Sequence, residues 1–79
     1  MNYEVFSTGG GFYVSCAYDG EYVYVVDSDC PEYITCYNDD DEFNMDTMVF
    51  SYGINEDGLE QYRELYDVLL ENLIQYIKK

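Results

Sequence analysis

The sequence predicts a single α+β domain covering residues 1–79, in which one long C-terminal helix packs on a small antiparallel sheet of four or five strands. Two kinds of pattern support this. β-Branched and aromatic runs flank the dipeptide Asp19-Gly20 and recur on both sides of it, and apolar residues recur every three or four positions in the last third. A chain of 79 residues has room for only one hydrophobic core.

The first strand and its turn are predicted within residues 2–11. The run "NYEVFS", residues 2–7, is a short strand, and Gly9, Gly10 and Gly11 let the chain turn back against the next strand. A triple glycine also occurs in phosphate-binding loops. Here the Lys, the Ser or Thr and the following helix of such a loop are missing, so the glycines predict a turn.

Residues 12–28, "FYVSCAYDGEYVYVVDS", predict a β-hairpin, because Asp19-Gly20 suits a two-residue turn. A loop of that length sets the cross-strand register. The predicted pairs are Tyr18 with Glu21, Cys16 with Val23, Val14 with Val25, and Phe12 with Asp27.

Cross-strand partners share a face, so the hairpin has an aliphatic face and a tyrosine-rich face. The aliphatic face contains Phe12, Val14, Cys16, Val23 and Val25. The tyrosine-rich face contains Tyr13, Ser15, Ala17, Tyr22, Tyr24 and Val26. The aliphatic face is the better candidate for the core. The helix can equally cover the tyrosine-rich face, in which case the aliphatic face is the exposed one.

Two more strands are predicted after Pro31, which interrupts the pattern. The run "EYITCYN", residues 32–38, is expected as an edge strand, and "TMVFSY", residues 47–52, as a further strand. Residues 40–49 have a second interpretation, as a short helix capped by acids.

The C-terminal helix is predicted to be about twenty residues long. Asp57 followed by Glu60 matches a capping box, and Lys78 and Lys79 suit the C-terminal end of the helix dipole. The apolar stripe contains Leu59, Tyr62, Tyr66, Leu69, Leu73 and Ile77, widened by Leu65, Leu70, Ile74 and Tyr76.

The charge balance is the most unusual property of the chain. There are 17 acidic residues against Arg63, Lys78 and Lys79, for a formal net charge of -14. A small domain usually carries a net charge of about 2 to 8 in magnitude. The excess repels itself and opposes compaction, so it calls for a functional reason.

The composition argues against catalysis. Because the chain has no His, it lacks the commonest general base and the usual partner of Ser or Cys nucleophiles. A carboxylate pair of the glycosidase kind needs a cleft between two supported walls, which one small core scarcely provides. We therefore expect a protein that is not an enzyme and uses no cofactor.

Calcium-loop spacing is absent from the acidic segment. An EF-hand loop needs Gly at its sixth position and Glu at its twelfth. A loop starting at Asp27 has Asn38 at the twelfth position, and one starting at Asn38 has Phe43 at the sixth. No metal site is predicted, although an irregular low-affinity cation site around residues 39–46 remains an alternative.

The cysteines and the N-terminus predict a cytoplasmic protein. There are three cysteines, Cys16, Cys30 and Cys36, and this odd number argues against a disulfide framework. Their spacing does not match a zinc site. The N-terminus lacks the features of a signal peptide. Cys16 is expected as a reduced core residue. No apolar stretch approaches the roughly 20 residues that span a bilayer, and an anionic leaflet would repel the acidic surface, so we expect no membrane binding.

Two groups of acids form the predicted partner-binding surface. Glu60, Glu64, Asp67 and Glu71 fall on one narrow strip of the predicted helix, which we call the acidic ridge. At a rise of about 1.5 Å per residue, their axial separations are roughly 4.5 to 6 Å, close to the separation of phosphates along a nucleic-acid strand. The second group lies in the segment "YNDDDEFNMD" and consists of Asp39, Asp40, Asp41, Glu42 and Asp46.

The ridge is costly for an isolated helix. Glu60 with Glu64, and Asp67 with Glu71, are like-charge pairs at the destabilising i,i+4 spacing. A helix that needed only solubility would gain from Lys at one position of each pair. A solvated face of an acidic protein remains the alternative interpretation.

The eleven tyrosines exceed what one core of this size can use. Tyrosine is enriched at binding hot spots, because it offers a large contact area with a polar tip. Tyr22 and Tyr24 are therefore predicted as anchors beside the acids.

Very small, strongly acidic, His-poor α+β chains with tyrosine and an acidic segment such as "NDDDEFNMD" resemble phage-encoded anti-CRISPR proteins and other DNA-mimic anti-restriction proteins. The resemblance covers the whole chain in size, charge and element content. It implies an inhibitor that occupies the DNA-binding or PAM-recognition groove of a CRISPR effector or another defence nuclease.

The expected partner is thus a basic nucleic-acid-binding protein such as a Cas effector or nuclease, bound by a monomer or homodimer that does not itself bind nucleic acid. The leading alternative is an immunity or antitoxin protein that neutralises a basic nuclease toxin. A cation-binding or structural domain is the further alternative.

Overall fold

The computed structural model describes residues 1–38 and 48–78, which form five strands, a 3₁₀ helix and an α-helix. The strands are β1 (Asn2–Gly9), β2 (Phe12–Tyr18), β3 (Tyr22–Asp27), β4 (Tyr33–Asn38) and β5 (Met48–Gly53). The 3₁₀ helix, Asp57–Tyr62, leads directly into α1, Arg63–Ile77. The predicted α+β class is confirmed.

The five strands form one antiparallel sheet in the order β1-β2-β3-β4-β5. The edges are therefore β1 and β5. The prediction of an edge strand at residues 32–38 is wrong, because β5 pairs along the outer side of β4, with Ile34 opposite Tyr52 and Thr35 opposite Ser51. Residues 39–47, which hold most of the stretch with alternative strand and helix predictions, lie outside the described residues, whereas Met48 and Val49 are in a strand.

The glycine turn between β1 and β2 is confirmed. Gly9, Gly10 and Gly11 have φ angles of 97°, 63° and 84°. Positive φ is sterically unfavourable for residues with a side chain, whereas glycine adopts it without steric cost. Three consecutive glycines therefore allow β1 to reverse into β2.

The hairpin of β2 and β3 is present, but its predicted register is wrong by two residues. Tyr18 pairs with Val23, Cys16 with Val25, and Val14 with Asp27. An even shift leaves every side chain on its predicted face.

The side chain of Asp19 explains the longer connection. Its Oδ1 accepts hydrogen bonds from the backbone N–H groups of Glu21 and Tyr22, at 2.8 and 2.7 Å. These bonds close a four-residue turn in which Gly20 has a φ of 94°. The same bonds favour the ionised carboxylate and lower the pKa of Asp19.

The helix covers the tyrosine-rich face of the sheet, so the preference for the aliphatic face as the main core is wrong. The small residues Ser15 and Ala17 are fully buried at the centre of the covered face, where they let α1 approach closely, and Tyr13 and Tyr24 pack around them. The core cluster consists of Ala17, Val26, Ile34, Leu59, Tyr66, Leu69 and Leu73.

The aliphatic face forms a second, smaller cluster on the other side of the sheet. Val14, Cys16, Val23 and Val25 are buried there and pack with Phe6, Tyr18 and Tyr37. Cys16 is a free, buried cysteine, as predicted. Both faces of the central strands therefore contribute to the core.

The start of the helical segment differs from the predicted capping box. The residue before the 3₁₀ helix is Glu56, and neither it nor Tyr62 before α1 makes a side-chain capping hydrogen bond. Glu56 instead accepts a hydrogen bond from the backbone N–H of Gly53, at 2.6 Å. The first six residues, Asp57–Tyr62, form a 3₁₀ helix, and α1 begins only at Arg63.

Replacing Leu69 with Ala tests the position of the helix on the sheet. Leu69 is fully buried, whereas its neighbour Val68 is 41% exposed. We expect Leu69→Ala to lower the free energy of unfolding by about 2 to 5 kcal/mol, because it leaves a cavity in the core. Val68→Ala should change that free energy by less than about 1 kcal/mol. Urea denaturation measures both, and equal effects would contradict the packing described.

Candidate protein-binding surface

Three members of the acidic ridge lie on the outward face of α1. Glu64, Asp67 and Glu71 are exposed. At about 100° per residue, they fall on the side of the helix opposite the buried residues Leu69 and Leu73. Their carboxylates therefore point away from the sheet.

Glu60 is exposed as well, but it belongs to the 3₁₀ helix that precedes α1. A 3₁₀ helix has about 3.0 residues per turn and a rise of about 2.0 Å, instead of the α-helical values used for the prediction. The continuous α-helical spacing predicted from Glu60 to Glu64 is therefore wrong. The ridge consists of three carboxylates on α1 and a fourth in the preceding turn.

The ridge is only slightly compensated by other side chains. Arg63 Nε lies 3.9 Å from Asp67 Oδ1, the one ion pair found within residues 1–38 and 48–78. Both of its side chains are about half exposed or more, so the pair contributes little to stability. Glu71 Oε1 accepts a hydrogen bond at 2.9 Å from Nε2 of Gln75, a neutral side chain that adds no positive charge.

The excess of acid extends over the described surface. With five of the 17 acids in residues 39–47, twelve lie in the described residues, against Arg63 and Lys78. Eleven of those twelve are exposed, and Asp27 is half-buried. The charge is therefore displayed to solvent rather than neutralised inside the fold. The second predicted group of acids, Asp39, Asp40, Asp41, Glu42 and Asp46, lies outside the described residues.

The predicted anchors Tyr22 and Tyr24 are half-buried on the helix-covered face. The Tyr24 ring lies 5.9 Å from that of Tyr62 and 6.4 Å from that of Phe50, measured between centroids. The Tyr24 hydroxyl donates to Asp19 Oδ2 at 3.3 Å. Burial, with the Asp19 carboxylate, raises the pKa of Tyr24 to about 12. Tyr24 thus has a structural role in an aromatic cluster.

The aromatic cluster supports the end of the ridge nearest Glu60. Tyr62 lies between Glu60 and Glu64 in sequence, and its ring packs 4.7 Å from Phe50 and 6.3 Å from Tyr52. Tyr62 was predicted as part of the apolar stripe of the helix. The aromatic cluster was not predicted, because it depends on β5 lying under the 3₁₀ helix.

Two exposed apolar residues flank the ridge and were not predicted as surface residues. Val68 is 41% exposed and Ile74 is 37% exposed. At about 100° per residue, they lie on either side of the strip defined by Glu64, Asp67 and Glu71. On a helical wheel, Val68 lies outside the predicted apolar stripe, which indicates exposure. Ile74, in contrast, was predicted to widen the apolar face.

The cysteines show no metal-binding arrangement. Cys16, Cys30 and Cys36 are all free, and only Cys30 is exposed. Burial raises the pKa of the Cys16 thiol to about 12 and that of the Cys36 thiol to about 11. No group of three or more His, Cys, Asp and Glu able to hold a metal ion occurs in the part of the chain that the structure describes.

None of the helices within residues 1–38 and 48–78 combines the length and the apolar character needed to cross a membrane. No protein-family model, curated protein or solved structure matches this chain.

Self-repulsion of the acidic surface predicts that salt stabilises the isolated protein. Raising ionic strength from about 0.01 to about 0.1 M shortens the screening length from roughly 30 to roughly 10 Å. We expect the melting temperature to rise by several degrees over this range, measured by circular dichroism. A neutral-ridge variant (Glu60→Gln, Glu64→Gln, Asp67→Asn and Glu71→Gln) should show a smaller rise. A melting temperature that falls with salt would contradict this electrostatic picture.

Proposed function

We propose that this chain is a stoichiometric protein inhibitor that mimics nucleic-acid phosphates and blocks the DNA-binding groove, including its PAM-recognition part, of a CRISPR effector or another defence nuclease. It acts without catalysis and without a cofactor, as a monomer or homodimer. Its place of action is the cytoplasm, that of the host cell if the chain is phage-encoded.

The observation that carries this proposal is the outward row of exposed carboxylates at Glu64, Asp67 and Glu71 on α1, with the exposed Glu60 in the preceding 3₁₀ helix. Along α1, steps of three and four residues separate Glu64, Asp67 and Glu71 by roughly 4.5 and 6 Å. Lys and Arg side chains of a groove that neutralises successive phosphates are spaced for charges of this kind. The row therefore offers a basic groove a set of replacements for phosphates.

The fold holds the row in place before any partner binds. Leu69 and Leu73 are buried beneath the helix, and the Tyr66 hydroxyl donates to the carbonyl oxygen of Pro31 at 2.6 Å. That bond ties the first turn of α1 to the connection between β3 and β4. A preorganised charged surface binds with a smaller loss of conformational entropy than a flexible acidic segment.

The charge distribution also favours a basic partner on energetic grounds. The like-charge pair Asp67 and Glu71 costs stability in the free protein, and a groove rich in Lys and Arg relieves that repulsion. Long-range attraction between surfaces of opposite charge raises the association rate. Complex formation should therefore be fast and sensitive to salt.

A panel assay tests the function directly. Purified guide-loaded CRISPR effectors, restriction nucleases and basic nuclease toxins are each given their own nucleic-acid substrate together with this protein. We expect at least one effector or restriction nuclease to be inhibited at near-equimolar protein. The neutral-ridge variant should inhibit that enzyme at least about tenfold more weakly, since four exposed charge contacts are lost.

The matched control removes four charges elsewhere on the surface. Glu4→Gln, Glu21→Gln, Asp29→Asn and Glu32→Gln remove the same number of negative charges as the neutral-ridge variant, and all four positions are exposed. This variant should inhibit nearly as well as the parent protein. Equal losses in both variants would mean that net charge rather than the ridge is responsible. Inhibition of a nuclease toxin alone would favour the immunity-protein alternative.

A further inference from the structure

A shallow groove crosses the sheet on the face opposite α1. Val25 pairs with Thr35, and Thr35 with Ser51, so these residues form a floor across β3, β4 and β5. With strands about 4.8 Å apart, the floor is about 10 Å long. The Thr35 and Ser51 hydroxyl oxygens lie 3.1 Å apart. The groove has a volume of about 320 Å³.

Aromatic side chains form both walls of the groove. Tyr33 and Tyr37 lie on the same strand face, two residues before and two after Thr35, with Cα atoms about 13 Å apart. Met48 pairs with Tyr37 and extends that wall. The Tyr33 ring lies over Gly53, where an added Cβ would be only 3.1 Å from it. A small floor between two rings leaves space for one long side chain.

The groove lies in a negative field. The half-buried Asp27 and the exposed Cys30 line its end near Tyr33, and neither Arg63 nor Lys78, the two described basic residues, lines it. Desolvation by the surrounding residues, followed by the nearby carboxylates of Asp29, Glu32 and Asp27, raises the pKa of the Cys30 thiol. Burial and the Asp27 carboxylate likewise raise the pKa of Tyr37. Asp27 therefore acts on Cys30 at one end of the groove and on Tyr37 in one of its walls.

We propose that this groove receives an arginine side chain from a protein partner. The aliphatic part of the side chain would lie on Val25 between the two rings, and the guanidinium would pair with Asp27 and stack on Tyr33. Arginine fits better than lysine, because its flat, weakly hydrated head can stack on a ring while donating to a carboxylate.

This inference goes beyond the proposed function, because the groove lies on the face opposite the ridge and its test involves no nuclease. Charge complementarity favours a basic partner over a second copy of this acidic chain. The aromatic and aliphatic lining favours an organic cation over a metal ion, which prefers several oxygen ligands. Two separate surfaces would thus recognise basic proteins, one through a row of charges and the other through a pocket.

The test is a nuclear magnetic resonance titration of the full chain with N-acetyl-arginine methylamide. The matched probe is the citrulline analogue, which has nearly the same shape and no charge. We expect saturable shifts of the backbone amides of Val25, Thr35 and Ser51 with the arginine probe. The citrulline probe should bind at least about tenfold more weakly, because it lacks the charged hydrogen bond.

Three variants separate charge from shape. Asp27→Asn should weaken binding of the arginine probe about tenfold, and it retains an oxygen to accept the hydrogen bond from the Asp29 backbone N–H. Glu21→Gln removes the same charge from the exposed β2–β3 turn, outside both the groove and the ridge, and should leave binding unchanged. Ser51→Phe fills the groove at an exposed position and should abolish the shifts at Val25 and Thr35 without changing net charge.

Several results would overturn the groove proposal. One is a set of shifts spread equally over all acidic surfaces, which indicates unspecific attraction. Equal binding of the arginine and citrulline probes is another, as is equal weakening by Asp27→Asn and Glu21→Gln. Shifts of the groove amides on dilution without probe would instead identify the groove as an interface between copies.

Discussion

Both candidate surfaces depend on the packing of α1 across the tyrosine-rich face of the sheet. Small residues at the centre of that face, Ser15 and Ala17, allow close approach, and Leu69 and Leu73 fill the space above the sheet. A helix seated there must turn its polar side outward, which places the ridge in solvent. It also leaves the opposite face of β3, β4 and β5 to form the groove.

Local sequence signals were sufficient for the fold class, whereas long-range pairing was not predictable. Asp19-Gly20 identified the hairpin, and the apolar period of the last third identified the helix. The register failed because the Asp19 side chain closes a longer turn. The interior position of β4 depends on its pairing with β5, which no local pattern predicts. The sheet face that α1 covers was also not predictable, because both faces of the hairpin contain residues that can be buried.

The same distinction applies to the two surfaces. The ridge was largely predictable, because residues three and four apart on a helix share a face. Its first member was misplaced, since helical periodicity does not distinguish a 3₁₀ start from an α-helix. The groove was not predicted, because its floor joins Val25, Thr35 and Ser51 from three strands. The only part of the groove visible in the local sequence is the alternation that places Tyr33, Thr35 and Tyr37 on one face of β4.

Phosphate mimicry requires that the inhibitor and duplex DNA cannot occupy the same protein at once. The most direct measurement immobilises this chain, captures nucleases from a host that expresses defence systems, and adds the duplex DNA that each captured nuclease recognises. Release of the nuclease in proportion to added DNA, with no DNA retained on the immobilised chain, is the predicted result. Retention of nuclease and DNA together in one complex would contradict phosphate mimicry.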